Sequence, residues 1–575
     1  MTGPITRHRD IESLKTAARW PGADRNTTVI LAARLAAARA DAEGYRYFSE
    51  LADARPGEAL PLTLAGFFQA RLGEDVDAAL AKLDQAAATD LGPPQYFRGL
   101  ALAGLALAGL PPDRRRAEQA VADLEFVLAV ADQFPAMLLR GAYHGLAAAH
   151  AVLGHDDQAA EAERKSGLGA APADTQLMFG GFWVTAADGF RFTSPRILRP
   201  EPRIQVAQGY DFCDLAFITT SDGVVAIDAG TTQDRVKAAL GDLDLPADGV
   251  ISHLILTHAH WDHIGGAGAL RGPGTQVIAQ AGFPAGLDRD QGDRPRFRYF
   301  TGAAGSVPLA VVPDQLISEP TPLTAGSTEL VLYPAPGGET PDALMVHLPA
   351  SGVLFAGDVL MPYLGQPFAG EGSPEGLLEA LAFIGSLRPR LLIHGHTTLT
   401  EQFTAEAVPG LQAALTQLHG QVLVGIRDGR TLPDILQEAS LPAVLREHPT
   451  AVVPYLVIRD HFTERLYHQR TGYWQPDGTG LEPTTAAEHA AALDLLAGGR
   501  EQQFAAAAAT LIGQGDHALA LQIIQPGLLR HPASSTLAGL RRTALHRLME
   551  QYQQFDPFKF LIYAELAGAE IGPAG

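Results

Sequence analysis

An apolar run, Leu254-Ile255-Leu256, stops at Thr257 and passes into His258-Ala259-His260-Trp261-Asp262-His263-Ile264-Gly265-Gly266. Four of the chain's 19 histidines, His253, His258, His260 and His263, fall within eleven residues. A short apolar run of this kind reads as a buried strand, and a loop at the end of such a strand is where an open α/β layer exposes its functional groups. His258 and His260, two apart on extended backbone, can point one way. Asp262 and His263 can then turn towards a second point nearby, ahead of a Gly-containing helix expected to begin after His263. Imidazoles packed this closely repel one another when protonated, and a metal ion relieves that repulsion.

The neighbouring sequence supports a layered α/β unit. From about Thr175 to His396, short β runs alternate with Gly/Pro turns. Strands are predicted at Leu215–Thr220, Val224–Asp228, Leu254–Thr257, Gln276–Ala279, Leu330–Tyr333, Ala343–Leu348 and Val353–Ala356, with helices at Arg235–Leu243 and Pro374–Leu387. Strands on both sides of helical crossovers imply an α/β or αββα arrangement with its ligands at strand ends.

Helical sequence flanks this region. From about Asp10 to Gly167 the chain is Ala- and Leu-rich, with apolar residues at helical spacing. The fragments beginning Ala65-Gly66-Phe67 and Gly145-Leu146-Ala147 are alike, each followed by an acidic turn and an Ala-rich second helix. They resemble tetratricopeptide helix–turn–helix units, without a clean 34-residue period. Beyond Glu401 helices are expected again, apart from a strand near Val452–Ile458 and a final helical segment opened by Gly480-Leu481-Glu482-Pro483.

Composition narrows the function classes. A net charge of −21 argues against a nucleic-acid partner, because phosphate backbones are held largely by Lys and Arg. The single cysteine, Cys213, forms no internal disulfide and fits a reducing compartment. The opening MTGPITRHRDIESLKTAARW holds no apolar core of signal-peptide type. The stretch Leu100–Leu110 spans only 11 residues, short of the roughly 20 a membrane helix needs. A cytoplasmic protein without membrane insertion is therefore expected.

His-x-His-x-Asp-His after an apolar strand resembles the metallo-β-lactamase superfamily, and the rest of that pattern follows in order over roughly Thr175–His396. Asp228-Ala229-Gly230 matches the family's Asp-x-Gly; Asp358, after Phe355-Ala356-Gly357, matches the metal-bridging aspartate; His396, in Ile393-His394-Gly395-His396, matches the final ligand. Where the common pattern has histidine before Thr-Pro, this chain has Gly337-Gly338-Glu339-Thr340-Pro341, which resembles the alkylsulfatase branch. The segments Tyr467-His468-Gln469-Arg470-Thr471-Gly472-Tyr473-Trp474 and Leu481-Glu482-Pro483 look like the entry to that branch's dimerisation domain.

The resemblance implies an αββα metallo-β-lactamase fold flanked by two mainly α-helical domains. They divide as 1–174 (helical, tetratricopeptide-like), 175–400 (catalytic) and 401–575 (dimerisation-like). It implies two Zn²⁺ per chain, one held by His258, His260 and Glu339, the other by Asp262, His263 and His396, with Asp358 bridging. Asp262 is then the candidate catalytic residue, orienting a metal-activated water for attack on an ester-type bond of a small-molecule substrate. Glu339, a carboxylate in place of an imidazole, should make the metals weaker Lewis acids. Asp228 reads as a supporting group. Tyr363, Arg459 and Arg470 are candidates for touching substrate.

Two departures leave the bond open. The chain has Asp358 where alkylsulfatases have glutamate, and Leu360-Met361-Pro362-Tyr363-Leu364-Gly365-Gln366-Pro367-Phe368 in place of their Asn-containing, Arg-Gly sulfate segment. A counterpart of their sterol-carrier-like C-terminal domain is not read here. An alkyl sulfate ester is the first substrate reading, with lactone, β-lactam or thioester hydrolysis as the alternative and a metal-stabilised interaction scaffold behind them. The resemblance further implies a homodimer, and the N-terminal hairpins could take a protein partner.

Overall fold

The computed structural model describes residues 9–109, 111–131, 134–166, 183–185, 189–246, 249–292, 311–335, 337–365, 372–438, 440–472, 478, 480–552 and 556–567. The expected boundary at 174/175, the opening residues 1–8, and Gln366, Pro367, Phe368, Tyr473 and Trp474 lie outside them.

Helices come first: Arg9–Ala18, Arg25–Ala37, Asp41–Ala54, Ala59–Leu72, Val76–Ala87, Pro93–Ala108, Arg114–Ala129, Ala136–Leu153 and Asp156–Ser166, with successive members packed as hairpins. Both fragments that look alike in sequence lie on such hairpins. After Ala59–Leu72, Gly73 closes the helix in a left-handed conformation, and the Asp75 carboxylate caps the next helix by accepting from Ala78 N–H at 3.2 Å.

The strands form two stacked sheets and a short hairpin, β1 (Trp183–Thr185) with β2 (Gly189–Arg191). The first large sheet takes β3 (Arg196–Glu201), β4 (Ile204–Gln208), β5 (Leu215–Thr220), β6 (Gly223–Ile227), β7 (Ile251–Ile255), β8 (Gln276–Gln280) and β9 (Gln315–Ile317) in chain order. It is antiparallel through β6 and parallel from there on. The second takes β10 (Thr321–Ala325), β11 (Thr328–Pro334), β12 (Leu344–Leu348), β13 (Val353–Gly357) and β14 (Leu391–His394), with only the β13–β14 pair parallel.

Alternation along these strands builds the sandwich. Ile204, Val206, Ile218, Val225, Ile227 and Ile255 of the first sheet meet Leu330, Leu332, Leu344, Val346, Phe355 and Ile393 of the second in one buried layer. The opposite faces carry helices: Val236 and Ala239 of Gln233–Asp242 cover the first sheet, and Leu377, Leu381 and Ile384 of Pro374–Leu387 cover the second. The result is the expected αββα order. Among the described residues no helix is long and apolar enough to cross a membrane.

Helical structure resumes at Thr397–Gln402 and continues through Val408–Arg427, Leu432–Glu438, Val452–Thr471, Ala486–Leu496, Glu501–Gln514, His517–Arg530, Ser535–Tyr552 and Pro557–Ala567. The strand expected near Val452–Ile458 is instead the start of the helix Val452–Thr471. Its β-branched residues misled the local pattern, because the first half of this helix, Val452–Ile458, is buried on every side. It is packed among Arg9–Ala18, Arg25–Ala37, Pro374–Leu387 and Val408–Arg427, so burial overrides intrinsic β preference.

Arg459 sits fully buried in that helix, with Nη2 2.6 Å from Asp10 Oδ1 and Nε 2.8 Å from Asp460 Oδ1. The ion pair ties the first helix of the chain to the C-terminal region. Arg459→Leu should destabilise the protein by about 3–5 kcal/mol, since it removes the buried guanidinium that Asp10 and Asp460 share. Thermal melting checks this, and an unchanged melting temperature would contradict it.

Candidate metal centre

The two sheets deliver their chain ends to one edge of the sandwich. Asp228 follows β6, the histidine string follows β7, Asp358 follows β13, and His396 follows β14. Glu339 comes from the connection between β11 and β12. All seven candidate ligands, His258, His260, Asp262, His263, Glu339, Asp358 and His396, are buried, and the structure brings them together.

Their atoms fall into groups that share members. His258, His260 and Glu339 place one ligand atom each within 4.8 Å of one another, as do Asp262, His263 and His396, and as do His258, His263 and Asp358. His258 Nε2 lies 3.3 Å from Glu339 Oε2, and His260 Nδ1 lies 3.6 Å from Glu339 Oε1. On the other side, His396 Nε2 is 2.9 Å from Asp358 Oδ2, and His263 Nε2 is 3.3 Å from Asp262 Oδ2 and 3.5 Å from Asp358 Oδ2.

Local backbone explains the placement. His260 precedes the short helix Trp261–Ile264, which begins three residues earlier than the sequence pattern implied. Its first turn carries Asp262 and His263, and the His263 ring comes to 4.1 Å from that of His258, as close as His260 does at 4.4 Å. A Cβ on Gly338 would come within 1.8 Å of the Val359 carbonyl oxygen, so only glycine lets Glu339 sit that close to the strand end bearing Asp358. A Cβ on Gly395 would lie 2.4 Å from Asp358 Oδ1 and 2.7 Å from His263 Cε1.

Two of the imidazoles, His263 and His396, are oriented from behind. His263 Nδ1 is 2.8 Å from Asp228 Oδ2, and His396 Nδ1 is 2.9 Å from the Phe212 carbonyl, so in each case Nδ1–H donates and Nε2 faces the cluster. Asp228 also accepts from Thr257 N–H at 2.8 Å and Thr257 Oγ1 at 2.9 Å, with its own φ at +62°. Asp342 Oδ2 accepts from Ala259 N–H at 2.9 Å, pinning the loop between the two leading histidines.

The charges within the cluster strain against one another. Burial, reinforced by the neighbouring His263 and His260, drives His258 well below the usual imidazole range. Burial also opposes charge on His263, but the carboxylates of Asp262, Asp228 and Asp358 outweigh it and hold the imidazolium well above that range. Burial works against the Asp358 carboxylate too, yet His396 and His263 hold its pKa well below the usual value. Among the described residues, His258 Nε2, His263 Nε2 and Asp358 Oδ1 are buried without a hydrogen-bond partner. Buried polar atoms left in this way cost free energy, and a nitrogen- and oxygen-rich set facing one point fits divalent zinc.

An apolar pocket opens beside these ligands. Phe192, Phe212, Trp261, Met361, Leu399, Pro557 and Phe558 line it together with Tyr363 and five of the candidate ligands, His260, Asp262, Glu339, Asp358 and His396. Phe212 stacks on Trp261 at 6.0 Å between ring centroids and approaches His396 at 4.6 Å. Of the three residues proposed to touch substrate, the structure brings only Tyr363 to the pocket, where it packs edge-on against Phe558 at 5.3 Å. Burial, with Asp556 nearby, holds the Tyr363 hydroxyl well above its usual pKa. Arg459 is held in the ion pairs already described, and Arg470 is half exposed with Nη2 2.6 Å from Glu375 Oε1.

Phe558 is the lining residue that the sequence least betrays, lying 162 positions beyond His396. It is the second residue of the helix Pro557–Ala567, which Asp556 caps by accepting from Lys559 N–H at 3.0 Å. Asp556 Oδ2 also lies 3.0 Å from His461 Nε2 in the buried helix Val452–Thr471.

Comparison with known proteins agrees with this geometry. Residues 209–396 match the sequence profile of the Metallo-beta-lactamase superfamily, and residues 431–564 that of Alkyl sulfatase dimerisation. A linear primary-alkylsulfatase of Pseudomonas sp. (strain ATCC 19151) is 22% identical over 333 residues, covering 50% of this chain and 62% of the relative. An (R)-specific secondary-alkylsulfatase of Pseudomonas sp. is 24% identical over 399 residues, covering 60% and 58%. A hydroxyacylglutathione hydrolase of Rhodobacter capsulatus is 27% identical over 211 residues, covering 36% and 68%. The chain thus spans about three fifths of the length of the two alkylsulfatases. Among solved structures, the stereoselective inverting sec-alkylsulfatase Pisa1 from Pseudomonas sp. shares the fold, with a TM-score of 0.54, 20% identity, and coverage of 66% of this chain and 65% of that one.

Asp228→Asn tests how the centre is supported, because it keeps the side chain's size while removing the charge behind His263. Zinc affinity should fall by about 10–100-fold. Competition titration against a chromophoric chelator reads the change, and undiminished affinity would remove Asp228 from any supporting role.

Proposed function

We propose, from the match of residues 209–396 to the Metallo-beta-lactamase superfamily profile and of residues 431–564 to that of Alkyl sulfatase dimerisation, that the protein is a dinuclear zinc hydrolase of an ester-type bond in a substrate with an apolar body. The observation that carries this reading is the pair of ligand groups meeting at the floor of an aromatic pocket. His258, His260 and Glu339 would hold one zinc ion, and Asp262, His263 and His396 the other, with Asp358 between them. When bound, two such ions make a water acidic near neutral pH and polarise the bond to be cleaved.

The chain's own groups do the rest. Asp228 and the Phe212 carbonyl hold the Nδ1–H of His263 and His396, leaving Nε2 as the donor atom towards the centre. Asp262 Oδ2, between His263 and His396, is placed to accept a hydrogen bond from a water and aim its lone pair. Phe192, Phe212, Trp261 and Phe558 exclude bulk water and accept the apolar body of the substrate. Tyr363, kept neutral, is a hydroxyl donor for the substrate's polar end.

The two Pseudomonas relatives are named alkylsulfatases, which makes sulfate esters of aliphatic alcohols the first substrate class. One observation favours a second reading, a lactone, β-lactam or thioester: among the described residues the pocket lining holds no lysine or arginine for an anionic sulfate. We further propose a homodimer, supported by the dimerisation profile, a protein partner for the N-terminal hairpins, and a cytoplasmic location, which suits the one buried thiol, Cys213.

The zinc-loaded protein should release sulfate from long-chain alkyl sulfates, measured by ion chromatography. Turnover of a lactone, β-lactam or thioester without sulfate release selects the second reading, and no turnover of any of them contradicts the hydrolase. His260→Ala should abolish whichever activity is found. Phe558→Ala should raise KM about tenfold for long-chain substrates, the loss expected from roughly 1.5 kcal/mol of apolar burial. Steady-state kinetics across chain lengths checks this, and a KM independent of chain length in both proteins would remove Phe558 from the pocket wall.

A further inference from the structure

A second cavity, about 240 Å³, lies where the N-terminal helices meet the C-terminal bundle. Arg34 and Arg39, at the end of the helix Arg25–Ala37, form one side. Arg547 and Gln551 of Ser535–Tyr552 form another, and the turn carrying Gln514, Gly515 and His517 closes it. Three guanidinium groups, an imidazole and two side-chain amides therefore face one space. None of the described residues lining it is acidic, in a chain whose net charge is −21.

The carboxylates nearest these arginines are each shared. Glu550 serves two of them, with Oε1 3.1 Å from Arg39 Nη2 and Oε2 2.7 Å from Arg547 Nη1. Asp10 Oδ2 lies 3.7 Å from Arg34 Nη2, while its Oδ1 is taken by Arg459 at 2.6 Å. Each of these two carboxylates is thus divided between two guanidinium groups. The orientation of the wall is also built in: buried Arg34 donates from Nη1 to the Gln551 carbonyl at 2.6 Å, which fixes the plane of its guanidinium. Arg39, at φ +54°, closes the helix Arg25–Ala37, with Ala40 N–H donating back to the Leu35 carbonyl at 2.9 Å.

We propose that this cavity binds a doubly charged tetrahedral oxyanion, a phosphate or sulfate group. Planar guanidinium forks present paired N–H donors that match such an anion, and several around one space neutralise its charge where a lone lysine would not. The site joins helices from opposite ends of the chain, so occupancy would hold the N-terminal helices to the C-terminal bundle and raise stability by mass action. The inference is independent of the metal centre.

The full-length protein is titrated with inorganic phosphate and with sulfate at constant ionic strength balanced by chloride, using calorimetry and thermal melting. Saturable binding and a rising melting temperature are expected. Arg39→Gln and Arg547→Gln should each weaken binding by about tenfold, as the loss of a charge-assisted pair implies. Glu550→Gln removes the competing carboxylate and should tighten it. Arg39→Gln and Glu550→Gln break the same ion pair, so opposite shifts in affinity separate anion binding from a general loss of structure. Methyl phosphate forms a second arm: tighter binding than inorganic phosphate marks the anion as the head of a larger ligand, and weaker binding marks the free ion. Melting no different from the chloride control, or equal weakening in all three variants, would overturn the proposal.

Discussion

Burying four imidazoles and three carboxylates at one edge of a β-sandwich costs free energy that hydrogen bonds and facing opposite charges must offset. Much of the surrounding architecture answers that demand. Asp228 takes three donors, two from Thr257 and one from His263, and in doing so joins the end of β6 to the loop after β7. Asp342 fixes Ala259 between two histidines, and Phe212 gives its carbonyl to His396 and its ring to the pocket wall. Gly338 and Gly395 are the points where a side chain would displace a ligand. The sandwich core supplies rigidity, and the strand ends supply convergence.

Apolar and charged layers meet abruptly at this centre. Five of the candidate ligands, His260, Asp262, Glu339, Asp358 and His396, form the floor of a pocket whose walls are mostly aromatic, so charged groups are set in surroundings of low polarity, where electrostatic interactions are stronger than in water. One wall is contributed from far along the chain. His461 and Lys559 hold the buried Asp556 carboxylate ionised against the cost of burial. Asp556 in turn caps the helix that starts with Pro557 and Phe558. The helical C-terminal region therefore shapes the pocket of the αββα domain as well as packing against it.

Much of this was legible in the sequence. Most of the β runs, the helix Pro374–Leu387 and the Gly–acid turns of the N-terminal hairpins carry local signals of period and capping and stand where those signals put them, while the strand expected at Leu254–Thr257 lies earlier, at Ile251–Ile255. The seven candidate ligands were readable because their residue types and order are unusual. What local pattern misses is set by tertiary context. Val452–Ile458 looks like a strand by residue type and is a helix because it is buried on all sides. Arg459 looks like an anion-holding residue in sequence, while only the fold reveals Asp10, 449 positions away, as its partner. Phe192, Phe212 and Phe558 have no motif at all, and their place in the pocket follows from topology alone.

The central claim is that two metal ions share this one cluster. Diffraction from zinc-grown crystals on either side of the zinc absorption edge tests it most directly. The account predicts two anomalous peaks per chain, one bonded by His258, His260 and Glu339 and the other by Asp262, His263 and His396, with Asp358 between them. A single peak, or peaks away from these side chains, would contradict it.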